Sequence, residues 1–459
     1  MELIRGLKNG MVLQRDMGTN ACKITISLRG VQHPQPSLGK LEHLGGERYR
    51  LTGIPVGGPY ALTLADGTRR LEFADLWVGD VWLLGGQSNM EGWGERGEAE
   101  LRYDEAPLQK IRAFYLDDHW ESARSQLHLP WTNHDTALAE KFLAGRGLTL
   151  AQRDCLTLAD AGVGPGLFIG QYLCEQSGVP QGLIPCAFGG TCMQDWLPEN
   201  LTPTSQYRHT LRRFWEIGGN VRGMFWYQGE SDLNWLCAAK LHDRMEHMVS
   251  AFRKDFDLPE LPFVQVQIGR TQGCDDCQLD RIAAWHKIRC LQAEMRFPLF
   301  ATVSAANATY QDTIHLDTPS QRCIGKAAAM QMCALLGREE LANPVLKHIE
   351  IRQTNGHLPT NKTSVVLTYD HVIGELRADG APSGFSVTLF DEIPYLFPNK
   401  LIHHVVLRGN QVEIVTGYSA EQLAHAFVWH GAGPNALCNV HDAEDRALLA
   451  MGPVPVCTV

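Results

Sequence analysis

The sequence has no apolar run long enough to span a bilayer, which requires about 20 consecutive apolar residues, so a membrane-spanning role is not expected. It is short of positive charge. Against 51 Asp and Glu it sets 41 Lys and Arg, for a net charge of -10, a balance that disfavours nucleic acid as a partner. The opening residues Met1-Glu2-Leu3-Ile4-Arg5-Gly6 lack a basic segment followed by an apolar one, so no secretory signal is expected and a cytoplasmic location is. The 13 cysteines are odd in number and have no framework spacing, which points to reduced thiols rather than a disulfide scaffold. One close pair, Cys274-Asp275-Asp276-Cys277, has no second pair to complete a four-ligand set; a loop with free thiols is expected there, and no metal site. There is no internal repeat and no low-complexity linker, and nothing sets an oligomeric state.

What is present begins with length. A chain of 459 residues exceeds the roughly 250–300 that one hydrophobic core sustains, and its 44% hydrophobic and 20% charged residues are those of a globular protein. Residues 1–75 read as a small β domain: Cys22, Ile24, Ile26 and Leu28 alternate with Lys23, Thr25 and Ser27, the period of a half-buried antiparallel strand, and Tyr60–Leu64 follows a Gly-Gly-Pro turn.

Residues 76–340 change to strand, loop, helix. Apolar strands are expected at Val81–Leu84, Ile111–Leu116, Gly182–Ala187, Val221–Tyr227, Pro262–Ile268 and Pro298–Val303. Helices are expected through Leu167–Glu175, Arg281–Met295 and Ser320–Leu336. The clearest helical face is Leu241, Met245, Met248, Val249 and Phe252. This alternation implies an α/β domain with a central parallel sheet between helical layers. Residues 341–459 return to short strands, Thr363–Tyr369, Phe385–Leu389, His404–Leu407, Val412–Val415 and Ala426–Trp429, which suggest a β-sandwich.

Open α/β sheets bind ligands beyond the carboxyl ends of their strands. Behind Val81–Leu84 the glycines Gly85 and Gly86 permit a sharp reversal, and Ser88 follows. Behind Gly182–Ala187 comes Phe188-Gly189-Gly190-Thr191; behind Val221–Tyr227 comes Gln228-Gly229-Glu230-Ser231-Asp232; behind Pro298–Val303 a loop carries Asp312-Thr313-Ile314-His315. These are the parts of a serine acyl-transfer site. A serine hydroxyl needs a base to become nucleophilic, which His315 supplies, and a histidine base needs an acceptor to orient it, which Asp312 supplies. The backbone N–H groups of Ser88 and Gly190 and the side-chain amide of Gln228 are candidate donors to the oxyanion. Gln87, Asn89, Glu230, Trp196 and Arg270 flank these positions as candidate substrate-binding residues.

Gly86-Gln87-Ser88-Asn89-Met90, the Phe188–Thr191 turn with Trp196 behind it, Trp226-Tyr227-Gln228-Gly229-Glu230-Ser231 and Asp312-Thr313-Ile314-His315 resemble, in order and spacing, the sialate O-acetylesterase family, a carbohydrate acetylesterase branch of the SGNH hydrolases. Gly10–Asp16 is similar to the family's N-terminal signature, and Leu437-Cys438-Asn439-Val440 to its C-terminal strand. The stretch from Trp120 to Gly162, with His128, Trp131 and His134, is unlike the family's usual connection. The resemblance implies an SGNH-hydrolase-like three-layer domain with accessory β-sandwich segments at both termini. It also implies a cofactor-free serine esterase with Ser88 as nucleophile, His315 as general base and acid, Asp312 as its orienter, and Ser88, Gly190 and Gln228 as the oxyanion hole. The substrate would be an acetyl ester on sialic acid or on a plant or microbial oligosaccharide.

Three other readings compete. A glycoside hydrolase would pair carboxylates such as Glu230 and Asp195 across a scissile bond, which leaves Ser88 and His315 unexplained. A non-catalytic carbohydrate-binding protein would use Trp93, Trp131, Trp196 and Trp235 as stacking platforms, and would be expected to lack one of the catalytic residues. An SGNH acyl hydrolase acting on a non-carbohydrate ester would keep the same site.

Overall fold

The structure is a computed structural model and describes residues 1–95, 108–271, 279–354, 362–389 and 401–456. The chain forms two compact units, Met1–Tyr227 with Arg244–Phe263, and Gln228–Asp243 with Val264–Val459.

The first unit is built on one strand of 18 residues, Arg69–Gly86. Its first half carries Arg69, Arg70 and Glu72 and pairs antiparallel with Gly57–Asp66. Its second half, wholly buried from Val78 to Gly86, runs parallel between Gln181–Pro185 and Gly223–Tyr227, which are themselves buried at every residue. Burial on both faces explains the continuous apolar runs in these strands. The strand expected at Val81–Leu84 is therefore the end of a much longer one, which passes residue 75 without a break. Its polar first half disguises it, because there only one face is covered.

Val12–Asp16 lies parallel to Trp77–Gly79, and Ala21–Arg29 pairs antiparallel with Arg48–Pro55, with Cys22, Ile24, Ile26 and Leu28 buried as their alternation requires. Helix Gly166–Ser177 leads into Gln181–Pro185 and stops at Gly178, whose φ of +67° lets its N–H reach back to the Cys174 carbonyl at 2.8 Å. Helix Leu241–Asp255 buries Leu241, Met245, Met248, Val249 and Phe252, the expected face. Helix Gln206–Glu216 had no counterpart in the sequence reading. Its sequence is polar, yet Arg213 is fully buried, donating to the carbonyls of Phe114 and Tyr115 and pairing with Asp118 at 2.9 Å.

Phe263–Gln267, all but its first residue in the second unit, pairs with Phe300–Ser304, and helices Leu279–Glu294 and Thr318–Leu335 follow the expected positions. Asp317 caps the latter, accepting the Ser320 N–H at 3.0 Å. Beyond it two antiparallel sheets form. One orders Val345–Thr354, Lys362–Asp370, Gln411–Thr416 and Ile402–Arg408; the other orders Phe385–Thr388, Phe427–His430 and Met451–Pro455. Val365, Leu367 and Ile414 of the first share one apolar core with Val387 and Val428 of the second, the arrangement of a sandwich. Val345–Thr354 and Met451–Pro455 were not anticipated as strands, and of Leu437–Val440 only Val440 lies in one.

Candidate active site

Ser88 stands directly behind the long strand. At Gly86, φ is +133° and an added Cβ would lie 2.1 Å from the Tyr227 carbonyl oxygen, so only glycine lets the chain turn this close to its neighbour. The Gln87 N–H closes the turn on that same carbonyl at 2.9 Å. Ser88 then opens the one-turn helix Ser88–Glu91. Ser88, Gln87 and Asn89 are all buried, at 7%, 3% and 1% exposure.

The Phe188–Thr191 turn packs against this helix. The Phe188 N–H donates to the Gly86 carbonyl at 3.0 Å, and the Thr191 hydroxyl donates to the Phe188 carbonyl at 2.8 Å. An added Cβ on Gly189 would lie 3.7 Å from the Ser88 Cβ and 3.3 Å from the Glu91 Oε2. Gly190 has φ +73°, and among the described residues no group accepts its N–H. The turn that carries Gly190 thus lies against the start of the helix that Ser88 opens.

Glu91 went unnoticed in the sequence, where it looks like one more polar residue between Met90 and Gly92. It is 6% exposed and accepts the Gly189 N–H at 2.5 Å. Burial pushes its carboxyl up to about 7, against the opposing pull of the Gly189 hydrogen bond and the Arg146 charge. Glu91 also borders a cavity of about 580 Å³, together with Trp93, Gln126, His128, Trp131 and Arg146. Burial drives His128 down to about 3, and as a neutral ring it accepts the Ala187 N–H at Nε2, 3.2 Å away.

The second unit carries the remaining candidates. Gln228 is fully buried; its side-chain amide donates to Asp232 Oδ2 at 2.6 Å and its backbone carbonyl accepts the Gln292 side-chain amide at 2.9 Å. Glu230, 4% exposed, belongs to the same loop. His315 Nδ1 lies 2.7 Å from Asp312 Oδ2, while Asp312 Oδ1 takes the N–H groups of Ile314 at 2.8 Å and His315 at 2.7 Å. Burial acts to raise the Asp312 pKa, but these N–H donors and the His315 ring outweigh it and hold the carboxyl below its usual value. Arg270 lays its guanidinium over the Tyr310 ring, 4.8 Å from the centroid, and donates to Asn435 at 2.9 Å.

Several expectations change. Trp196 is fully buried, with its indole N–H on Thr191 at 3.1 Å and its ring packed edge-on against Trp226, so it is an interior prop and offers no stacking face. Trp131 is also buried, beside Phe142. Asp195 is occupied with the Cys192 N–H at 2.9 Å, capping the short turn that ends in Trp196. The Trp235 side chain and the Cys274–Cys277 pair lie outside the described residues. Among the described residues there is no cluster of three or more His, Cys, Asp or Glu suited to a metal ion.

With its parallel α/β strands, strand-end serine and accessory antiparallel sheets, the protein is an esterase. The sequence profile of one family, described as carbohydrate esterase, sialic acid-specific acetylesterase, matches residues 78–334, and the chain belongs to that family. A probable carbohydrate esterase of Arabidopsis thaliana is 27% identical over 267 residues, which make up 54% of this chain and 88% of that protein. The crystal structure of a carbohydrate acetylesterase from Xanthomonas citri matches with a TM-score of 0.69 at 21% identity, covering 98% of this chain and 99% of that one, a likeness of fold over the full length.

Proposed function

We propose that this esterase removes O-acetyl groups from carbohydrate, sialic acid or an acetylated plant or microbial oligosaccharide, through a Ser88–His315–Asp312 triad. The observation that carries the reading is the 2.7 Å contact between Asp312 Oδ2 and His315 Nδ1. It fixes the ring proton on Nδ1 and leaves Nε2 as the base. In this reading Nε2 takes the Ser88 hydroxyl proton as Oγ attacks the acetyl carbonyl. The oxyanion is met by the N–H groups of Ser88 and Gly190 and by the Gln228 amide. Collapse breaks the ester bond, His315 returns the proton to the departing sugar oxygen, and an acetyl-enzyme remains. Water, deprotonated by the same ring, then releases acetate and restores Ser88.

Acetate release should be scored across acetylated sialic acids and acetylated xylo-, manno- and gluco-oligosaccharides, with Ser88→Ala beside the wild type. The expected result is release from at least one carbohydrate and near-complete loss in the variant with folding intact. Hydrolysis of p-nitrophenyl acetate with no carbohydrate in the panel deacetylated would remove the substrate class, and a Ser88→Ala protein retaining more than about a tenth of turnover would remove the triad.

A further inference from the structure

A buried carboxyl one helical turn from the proposed nucleophile has no place in the acyl-transfer steps above. Glu91 reaches no substrate atom in that scheme, and among the described residues it pairs with no cation at short range and its carboxylate holds the Gly189 N–H, at 2.5 Å. Gly189 is the residue before the proposed oxyanion donor. Two backbone N–H groups in succession thus have different fates: Gly189 is tied to Glu91, and Gly190 keeps its N–H without an acceptor among the described residues. A peptide plane fixed at one N–H limits the direction of the next, because the two share the soft dihedrals of a single residue.

We infer that Glu91 is a positioning residue, whose carboxyl clamps the Gly189 N–H and so aims the Gly190 N–H at the oxyanion. The inference rests on the proposed role of Gly190. Its geometry is local to the first unit: a Gly189 Cβ would meet the Ser88 Cβ in ordinary contact at 3.7 Å and crowd the Glu91 Oε2 at 3.3 Å, which places the clamp and the nucleophile on the same side of the turn. The turn is also pinned at both ends, by Phe188 on the Gly86 carbonyl and by Thr191 on the Phe188 carbonyl, which leaves the Gly189–Gly190 middle as the part still needing a partner.

The charge state suits the task. A full negative charge this close would repel the developing oxyanion, whereas a protonated carboxyl still offers its carbonyl oxygen to an N–H. Burial keeps Glu91 protonated up to about 7. The titratable and charged groups that share its cavity are Arg146 beyond helix Thr136–Ala144, His128, Glu95 and Asp160. Arg146, stacked on Phe142 at 3.9 Å from the ring centroid, acts to lower the Glu91 pKa; His128 stays neutral, and Asp160 is engaged with the Thr157 N–H at 2.8 Å.

Two variants of matching size separate the clamp from mere filling. Glu91→Gln retains a carbonyl acceptor, and Glu91→Leu retains the volume without one. On p-nitrophenyl acetate, Glu91→Leu should lower kcat about tenfold or more with KM within about twofold, and should weaken inhibition by phenylboronic acid, whose serine adduct places an oxygen in the oxyanion hole, by a similar factor. Glu91→Gln should stay within about threefold of wild type in both. A Glu91→Leu protein with boronate affinity unchanged, whatever its kcat, overturns the inference, since a structural role alone does not touch transition-state mimicry. Should Glu91→Leu not fold, the Gly189 amide signal in selectively ¹⁵N-glycine-labelled protein decides: it should shift with a midpoint near 7 in wild type and stay flat in Glu91→Gln, and a flat wild-type signal overturns the clamp. This last measurement does not involve acetyl transfer, so it stands even if Ser88→Ala or the carbohydrate panel removes the proposed function.

Discussion

One oxygen of Asp312 orients the His315 ring and the other holds the backbone of His315 itself, at 2.7 Å in each case. The residue proposed as base is therefore anchored twice by the same carboxylate, once at Nδ1 and once at its own N–H. Side chain and loop cannot drift apart without breaking both.

Asp312→Asn separates these duties. The Asn carbonyl can still accept the backbone N–H groups, so the thermal midpoint should change little, but an amide N–H facing Nδ1 reverses the ring tautomer. In the proposed triad kcat should fall about 10³–10⁴-fold. Thermal melting and kcat on the same preparation check this, and a variant that melts early with near-normal kcat would reduce Asp312 to a loop anchor.

Gln228→Ala should cut kcat by about 10²–10³ and leave KM nearly unchanged if the amide meets the oxyanion. The 2.6 Å bond to Asp232 makes the opposing forecast concrete: an amide that serves only Asp232 would, on removal, lower stability and spare the turnover of folded enzyme. Steady-state kinetics set against a denaturation curve separate these outcomes.

The folded Glu91 carboxyl titrates at about 7 against an ordinary 4.5, so folding holds its proton between those values. The sign follows: its favourable contribution is whole below about 4.5 and is lost as pH rises to about 7, a drop of roughly 3 kcal/mol at 1.36 kcal/mol per unit. Urea denaturation at pH 5 and pH 8 should show wild type losing stability relative to Glu91→Gln by an amount of that order. Parallel curves for the two proteins would contradict the buried carboxyl.

Chelation should leave turnover unchanged, because the proposed chemistry draws on serine, histidine, a carboxylate and N–H donors of the chain itself. Assay after exhaustive EDTA treatment tests it; a loss reversed by zinc would bring Cys274, Cys277 or the histidines into the reaction.

Much of this was legible in the chain because buried parallel strands leave continuous apolar runs and turns leave glycines. Val81–Leu84, Gly182–Ala187 and the amphipathic helix beginning at Leu241 all declare themselves in that way. The pairing of Asp312 with His315 was legible too, since three residues within one loop suffice to bring the two together. What escaped is what depends on tertiary burial. Trp196 behind a glycine turn looks the same in sequence whether it stacks on a sugar or on Trp226. Glu91 reads as polar whether it faces water or a peptide N–H, and helix Gln206–Glu216 hides because the partners that allow Arg213 to be buried, Phe114, Tyr115 and Asp118, lie almost a hundred residues away.

The unbroken strand Arg69–Gly86 gives the N-terminal region a standing that a mere attachment would not have. Val12, Leu13 and Gln14 flank it at Trp77, Val78 and Gly79, and the Gln14 side chain takes the Val81 N–H at 2.7 Å, seven residues ahead of Ser88. A chain begun at residue 76 would thus start in the middle of a hydrogen-bonded ladder, with the neighbour of its first residues deleted. The seam between accessory sheet and esterase core is a shared backbone rather than a tether. Neither a protease nor a recombination event could trim the one away and leave the other whole.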